Sequence, residues 1–104
     1  MKKLKECSID LLRVKIAQFI NNRFHSIISY YRELFVDVLD EEKTVLLIGL
    51  FGEHFFVCLL IWDDNKEEFI KCKNLGLYNN KTGEAQKLDA NDLEDVILKL
   101  YSSK

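Results

Sequence analysis

Between Thr44 and Trp62 the chain runs TVLLIGLFGEHFFVCLLIW, nineteen residues whose only formal charge is Glu53. A run of this length is about what a membrane-spanning helix needs. Gly52-Glu53-His54 falls at its middle, however, where a charge at the centre of a bilayer costs a few kcal/mol. Both halves are rich in β-branched and aromatic residues, so 45–51 and 55–62 read as two strands joined at Gly52-Glu53. Neither strand alternates. Val45, Leu47 and Gly49 face one way and Leu46, Ile48 and Leu50 the other; Phe55, Val57, Leu59 and Ile61 oppose Phe56, Cys58, Leu60 and Trp62. A sheet covered on one side alternates apolar and polar residues, so both faces of this hairpin require cover.

The flanks supply candidates. From Ser8 to Leu39, apolar residues recur at three- and four-residue steps: Ile9, Leu12, Ile16, Phe19, Ile20, Phe24, Ile27, Ile28, Tyr31, Leu34, Phe35 and Val38. This fits one long helix, or two consecutive helices broken at Asn21-Asn22-Arg23, where asparagine disfavours a helix interior. Two helices suit a small domain better. After the hairpin, Asp63-Asp64-Asn65-Lys66 reads as a turn and Glu67–Lys73 as a more polar third strand. Its lysines, Lys71 and Lys73, suit an edge. Two short strands, 75–78 and 84–88, flank a turn at Asn80-Lys81-Thr82-Gly83 closed by a glycine at positive φ. Asp89 then caps a last helix that carries Leu93, Val96, Ile97 and Leu100 on one face, with Asp92 at its third position. The expected architecture is a single α+β domain over residues 1–104: an N-terminal helix or two helices, a central antiparallel sheet of three to five strands, and a C-terminal helix packed on the sheet. The N-terminal stripe covers one sheet face. The C-terminal helix supplies part of the cover for the other, with a second subunit or a partner completing it.

A length of 104 residues is enough for a core without covalent staples, and 48% hydrophobic with 31% charged residues is the composition of a globular chain. Three cysteines, Cys7, Cys58 and Cys72, form no CxxC pair and no disulfide framework, which fits a reducing cytoplasm. The lysine-rich start is followed by an apolar segment interrupted by Asp10, Arg13 and Lys15, so it reads as a helix and not as a leader.

Residues for chemistry are scarce. His25 and His54 have no second histidine or cysteine at a metal-ligand step. A Cys–His nucleophile pair made by folding, Cys7 or Cys72 with His54, is the remaining enzymatic option. The acids around 63–68 invite comparison with metal-dependent nucleases, which place an Asp on one strand and Glu-x-Lys on the next. Lys71 is preceded by Phe69 and Ile70, so the second element fails. Gly49 and Gly52 form no phosphate loop, and Tyr30-Tyr31 reads as packing, not as a base-stacking platform. No cofactor, metal, nucleic acid or membrane is implied, and no catalytic residues are assigned.

The charge distribution says more than the net charge of −2. Residues 1–32 carry +5, residues 33–68 carry −8 and residues 69–104 carry +1. In an antiparallel meander the start of the first hairpin strand and the 63–68 turn share one end of the sheet. Asp37, Asp40, Glu41, Glu42, Asp63, Asp64, Glu67 and Glu68 then form an acidic end, a docking surface for a basic partner.

With these features the chain resembles the small bacterial immunity proteins of contact-dependent growth inhibition and colicin systems. The resemblance is one of type, covers the whole chain, and carries no motif from which residue roles transfer. It implies a cytoplasmic, non-catalytic inhibitor that masks the basic cleft of a cognate toxin domain, a nuclease above all. Dimeric secretion chaperones and adaptors resemble the chain in opening with a helix before strands, and a homodimer would also cover the second sheet face.

Overall fold

The computed structural model describes residues 3–40 and 43–101, with the side chains of Asp40 and Asn74 set aside. The fold is α+β. A 3₁₀ turn at Leu4–Glu6 leads into helix α1, Ile9–Arg23. Ser8 caps it: its hydroxyl oxygen accepts the Leu11 N–H at 3.1 Å. The helix ends beside the predicted break, at Phe24, whose φ of −125° leaves the helical region. Phe24 is fully buried, with the Arg23 guanidinium 5.3 Å above its ring. A 3₁₀ segment, His25–Tyr30, follows.

Here the structure corrects the sequence reading. Residues 31–39 do not continue the helix. Tyr31–Asp40 is strand β1, paired antiparallel with β2, Thr44–Phe51. The ladder skips a residue between Glu33 and Phe35 and again between Val38 and Asp40. Each bulge adds one residue and resets the alternation. Core-facing positions therefore fall at Tyr31, Glu33, Val36 and Val38, while Leu34, Phe35 and Leu39 stand in the open at 40%, 49% and 55% exposure. Two bulges and an apolar outer face imitated the steps of a helix.

The hairpin is as expected. Strand β3, His54–Asp63, pairs along the whole of β2, closing on Phe51 opposite His54. Gly52 opens the two-residue turn with φ +64°, the conformation that lets a tight turn follow the strand twist. Strand β4 is longer than expected: Glu68–Asn79 is continuous, merging two predicted strands across a bulge opposite Cys58. A second irregularity, at Ile61/Trp62, leaves Ile70 outside the ladder and turns Phe69 to the core, whereas strict alternation along 67–73 sets Phe69 on the face of Lys71 and Lys73, opposite Ile70 and Cys72. Strand β5, Ala85–Lys87, pairs only with Gly76–Tyr78, so the half of β4 that bears Lys71 and Lys73 remains an edge. The β4–β5 turn ends at Gly83 with φ +75°, and the Asn79 side-chain oxygen accepts from the N–H groups of Lys81 (2.8 Å) and Thr82 (3.1 Å). The strand order is β1-β2-β3-β4-β5.

Helix α2, Leu93–Tyr101, begins later than predicted. Asp89 instead closes a turn by accepting the Asn91 N–H at 3.0 Å, and the Val96 N–H reaches the Asp92 carbonyl at 3.1 Å. One contiguous core joins Leu12, Ile16 and Ile20 of α1, Leu93 and Ile97 of α2, and a single face of the sheet: Val45, Leu47, Phe51, Phe56, Cys58, Leu60 and Trp62. Both helices therefore lie on the same side, and α2 does not contribute to the second face as expected. The reason is its anchoring. Glu94 accepts the Ser26 N–H at 3.1 Å, Asn91 accepts from Arg23, and the Tyr101 ring packs on Tyr30 at 5.7 Å. Among the described residues, no helix is long and apolar enough to cross a membrane.

Candidate functional site

The acidic end is built by the meander. β1 ends and β2 begins at the same end of the sheet where β3 ends and β4 begins, and the Trp62 N–H donates to the Lys43 carbonyl at 2.7 Å, tying the two connections together. Asp40 occupies the last position of β1, opposite Thr44, which itself pairs with Ile61. Asp63 and Glu68 face each other across β3 and β4, with Asp64 and Glu67 in the turn between. Glu41 and Glu42 lie outside the described residues. Asp37 does not belong to the turn: it pairs with Leu46, farther along the sheet, on the side away from the helices.

These carboxylates are not equivalent. Asp63 holds its own turn, accepting the Asn65 N–H at 2.8 Å and the Lys66 N–H at 3.2 Å. Asp64 has one side-chain oxygen buried without a hydrogen-bond partner among the described residues. Glu67 takes φ +53°, a left-handed conformation that costs a non-glycine residue about 1 kcal/mol. Glu68 is exposed, as are the interspersed Lys43 and Lys66. A groove of about 310 Å³ between α1 and the start of β4 borders this end, lined in part by Lys15, Arg23, Lys66 and Glu68.

The Cys–His option is not assembled. His54 sits at the opposite end of β3, where its Nδ1 hydrogen-bonds the Tyr101 hydroxyl, which also accepts the Glu53 N–H at 2.8 Å. Cys72 stands near Leu60, six residues along the strand from His54, or about 20 Å. Cys7 lies at the N-terminal 3₁₀ turn beside Val38, again at the far end. His25 is exposed. The cavity at His54, about 200 Å³, contains no cysteine. Cys58 and Cys72 do meet: Cys72 pairs opposite Leu60, two residues along β3 from Cys58 and on the same face. The bond to Cys72 and burial push the Cys58 thiol far up, so it keeps its proton. Cys72 moves down, drawn by that bond and by Arg23 against its own burial. Among the described residues no group of histidine, cysteine and acidic side chains is placed to hold a metal.

The second surface is the face of the sheet turned away from the helices. Leu46, Ile48 and Leu50 of β2 and Phe55, Val57, Leu59 and Ile61 of β3 are all half-buried by one another, with Phe35 exposed beside them. No described element lies over them. The sequence announced this face through its missing alternation, but could not show that both helices would choose the other side.

The chain matches no protein-family model, no curated protein and no solved structure.

Proposed function

We propose that this protein is a non-catalytic protein-binding module that docks a basic partner domain at the acidic end of its sheet, in the manner of a cytoplasmic immunity protein neutralising a cognate toxin. The observation that supports this reading is the meander itself: it sets the connection after Asp40 beside the Asp63–Glu68 turn, linked by the Trp62–Lys43 backbone bond. Concentrated carboxylates on a rigid sheet end steer and orient a cationic partner. The natural probe is a toxin domain encoded beside this gene, nucleases first. Co-expression should relieve its toxicity, and binding should weaken as salt rises. Glu41→Lys, Glu42→Lys and Glu68→Lys together should abolish both, while Asp63, the carboxylate that holds the turn, is left in place. Unchanged protection by the triple variant contradicts the acidic-end reading.

The uncovered apolar face favours a second reading, a dimeric adaptor or secretion chaperone, in which the sheet and not its end is the working surface. Binding that survives the triple charge reversal but is lost on Ile48→Asp selects that reading.

A further inference from the structure

We infer that the open face of the sheet is closed by a second copy of this chain, stacked face to face about a two-fold axis that runs along the strands between β2 and β3. This inference does not rest on the acidic-end reading, because it uses a different surface.

The cross-strand register lays the open face out in four rows. One row runs Arg32, Leu50, Phe55, Tyr78, Ala85, and the next runs Phe35, Ile48, Val57, Gly76, Lys87. The third runs Asp37, Leu46, Leu59, Lys73, and the fourth Asp40, Thr44, Ile61, Lys71. The two middle columns are apolar throughout except for Thr44. Charge lies only outside these two columns: in the third row Asp37 on β1 and Lys73 on β4 have opposite sign, with Arg32 in the first row, Lys71 in the fourth and Lys87 of β5 at the far edge of the second. Within one chain Asp37 and Lys73 are three strands apart, about 14 Å, too far to pair.

A two-fold axis along the strands solves this arrangement. It lays β1 of one copy over β4 of the other, β2 over β3, and each row over the same row. Asp37 then meets Lys73 of the second copy and Lys73 meets its Asp37, two ion pairs at the rim of an apolar stack. Packed sheets stand about 10 Å apart, a gap that a lysine and an aspartate side chain bridge together. Arg32 comes over the exposed Tyr78 ring of the other copy, a favourable pairing of cation and aromatic face. An axis across the strands would instead stack β1 on β1 and leave Lys71 and Lys73 over Tyr78 and Gly76, without an acidic partner. Charge complementarity therefore selects both the occupant and the symmetry: the surface is complementary to itself.

The size agrees. Four strands about 4.8 Å apart and eight residues long cover about 500 Å² in projection. That is at the upper limit of the apolar patch a monomer leaves in water. With corrugated side chains and the rim, it approaches the roughly 800 Å² per partner of a standard stable interface. The axis also keeps both acidic ends on the same end of the dimer.

Sedimentation equilibrium tests the proposal. The unaltered chain should be a dimer at micromolar concentration. Asp37→Lys alone and Lys73→Asp alone each oppose like charges twice per dimer and should weaken it about tenfold or more. The double variant should recover the unaltered affinity, as should an equimolar mixture of the two single variants, whose heterodimer regains both pairs. All four proteins should retain the same far-UV circular dichroism, since both residues are exposed. A monomer at high concentration would overturn the proposal and leave the face to a foreign partner. A dimer indifferent to both reversals, or one not rescued by mixing, would overturn it as well.

Discussion

The two faces of strands β2 and β3 are written in nearly the same residues and meet different fates. Val45, Leu47, Phe56 and Leu60 lie under the helices with no exposed surface, while Leu46, Ile48, Val57 and Leu59 alternate with them on a face that no described element covers. Hydrophobicity is therefore not what sends the helices to one side. That choice is made at the ends of the sheet. Arg13 of α1 pairs with Glu33 at 3.2 Å, Glu94 of α2 takes the Ser26 N–H, and Tyr101 packs over Gly52 at the hairpin turn. The first face is a folding core, and the second is left open by every described element.

Truncation separates the two most sharply. Leu47→Ala empties a fully buried site and should cost about 2–5 kcal/mol in denaturant unfolding at any protein concentration. Leu46→Ala, one residue away and half-buried, should cost the isolated chain about 1 kcal/mol. Its larger effect should appear only where the chain associates, as a weaker concentration dependence of the unfolding midpoint. Equal losses in dilute solution would mean that the faces do not differ as described.

The next largest effect is expected at Gly52. A Cβ there would stand 2.4 Å from the Tyr101 ring, on a backbone already at φ +64°. Gly52→Ala should destabilise by about 1–3 kcal/mol and release the end of α2, which near-ultraviolet circular dichroism of the tyrosines would register. It tests the tether that keeps α2 on the core side. A variant as stable as the parent would place that tether elsewhere.

Tyr31 gives the smallest effect and the one with a pH signature. Its hydroxyl is buried in the core-side edge without a hydrogen-bond partner among the described residues. Burial first, then Glu33 and Cys58, raise its pKa well above the ordinary tyrosine value. A raised pKa means the folded chain keeps a proton that the unfolded chain loses above about pH 10, so stability is intact below that pH and falls as pH rises beyond it. Tyr31→Phe should be within about 1 kcal/mol of the parent at neutral pH, on the stabilising side, and should lose part of the alkaline decline. An unchanged pH profile would remove Tyr31 as its source.

How much of this was legible in the chain depends on whether local pattern and tertiary pairing agree. They agree at the hairpin, where Gly52-Glu53 divides two β-rich runs, and at Gly83, where a turn requires positive φ. They disagree at residues 31–39. There two bulges shift the alternation, and Leu34, Phe35 and Leu39 belong to the open face, so apolar residues recur every third and fourth position in a strand. The same effect in β4 hid Phe69 from the core, and the meeting of Cys72 with Cys58 depends on strand register, which spacing does not give. That the end of β1 lies at the same end of the sheet as the 63–68 turn followed from the order of strands alone, but the separate position of Asp37 and the structural duty of Asp63 did not, because both depend on register and turn geometry.

The contrast between the faces is tested most directly by methyl NMR with a soluble paramagnetic probe, recorded from dilute to concentrated protein. Val45, Leu47 and Leu60 methyls should be shielded throughout. Those of Leu46, Ile48, Val57 and Leu59 should be bleached in dilute solution and become shielded as concentration rises. Open-face methyls that stay bleached at every concentration would contradict the account.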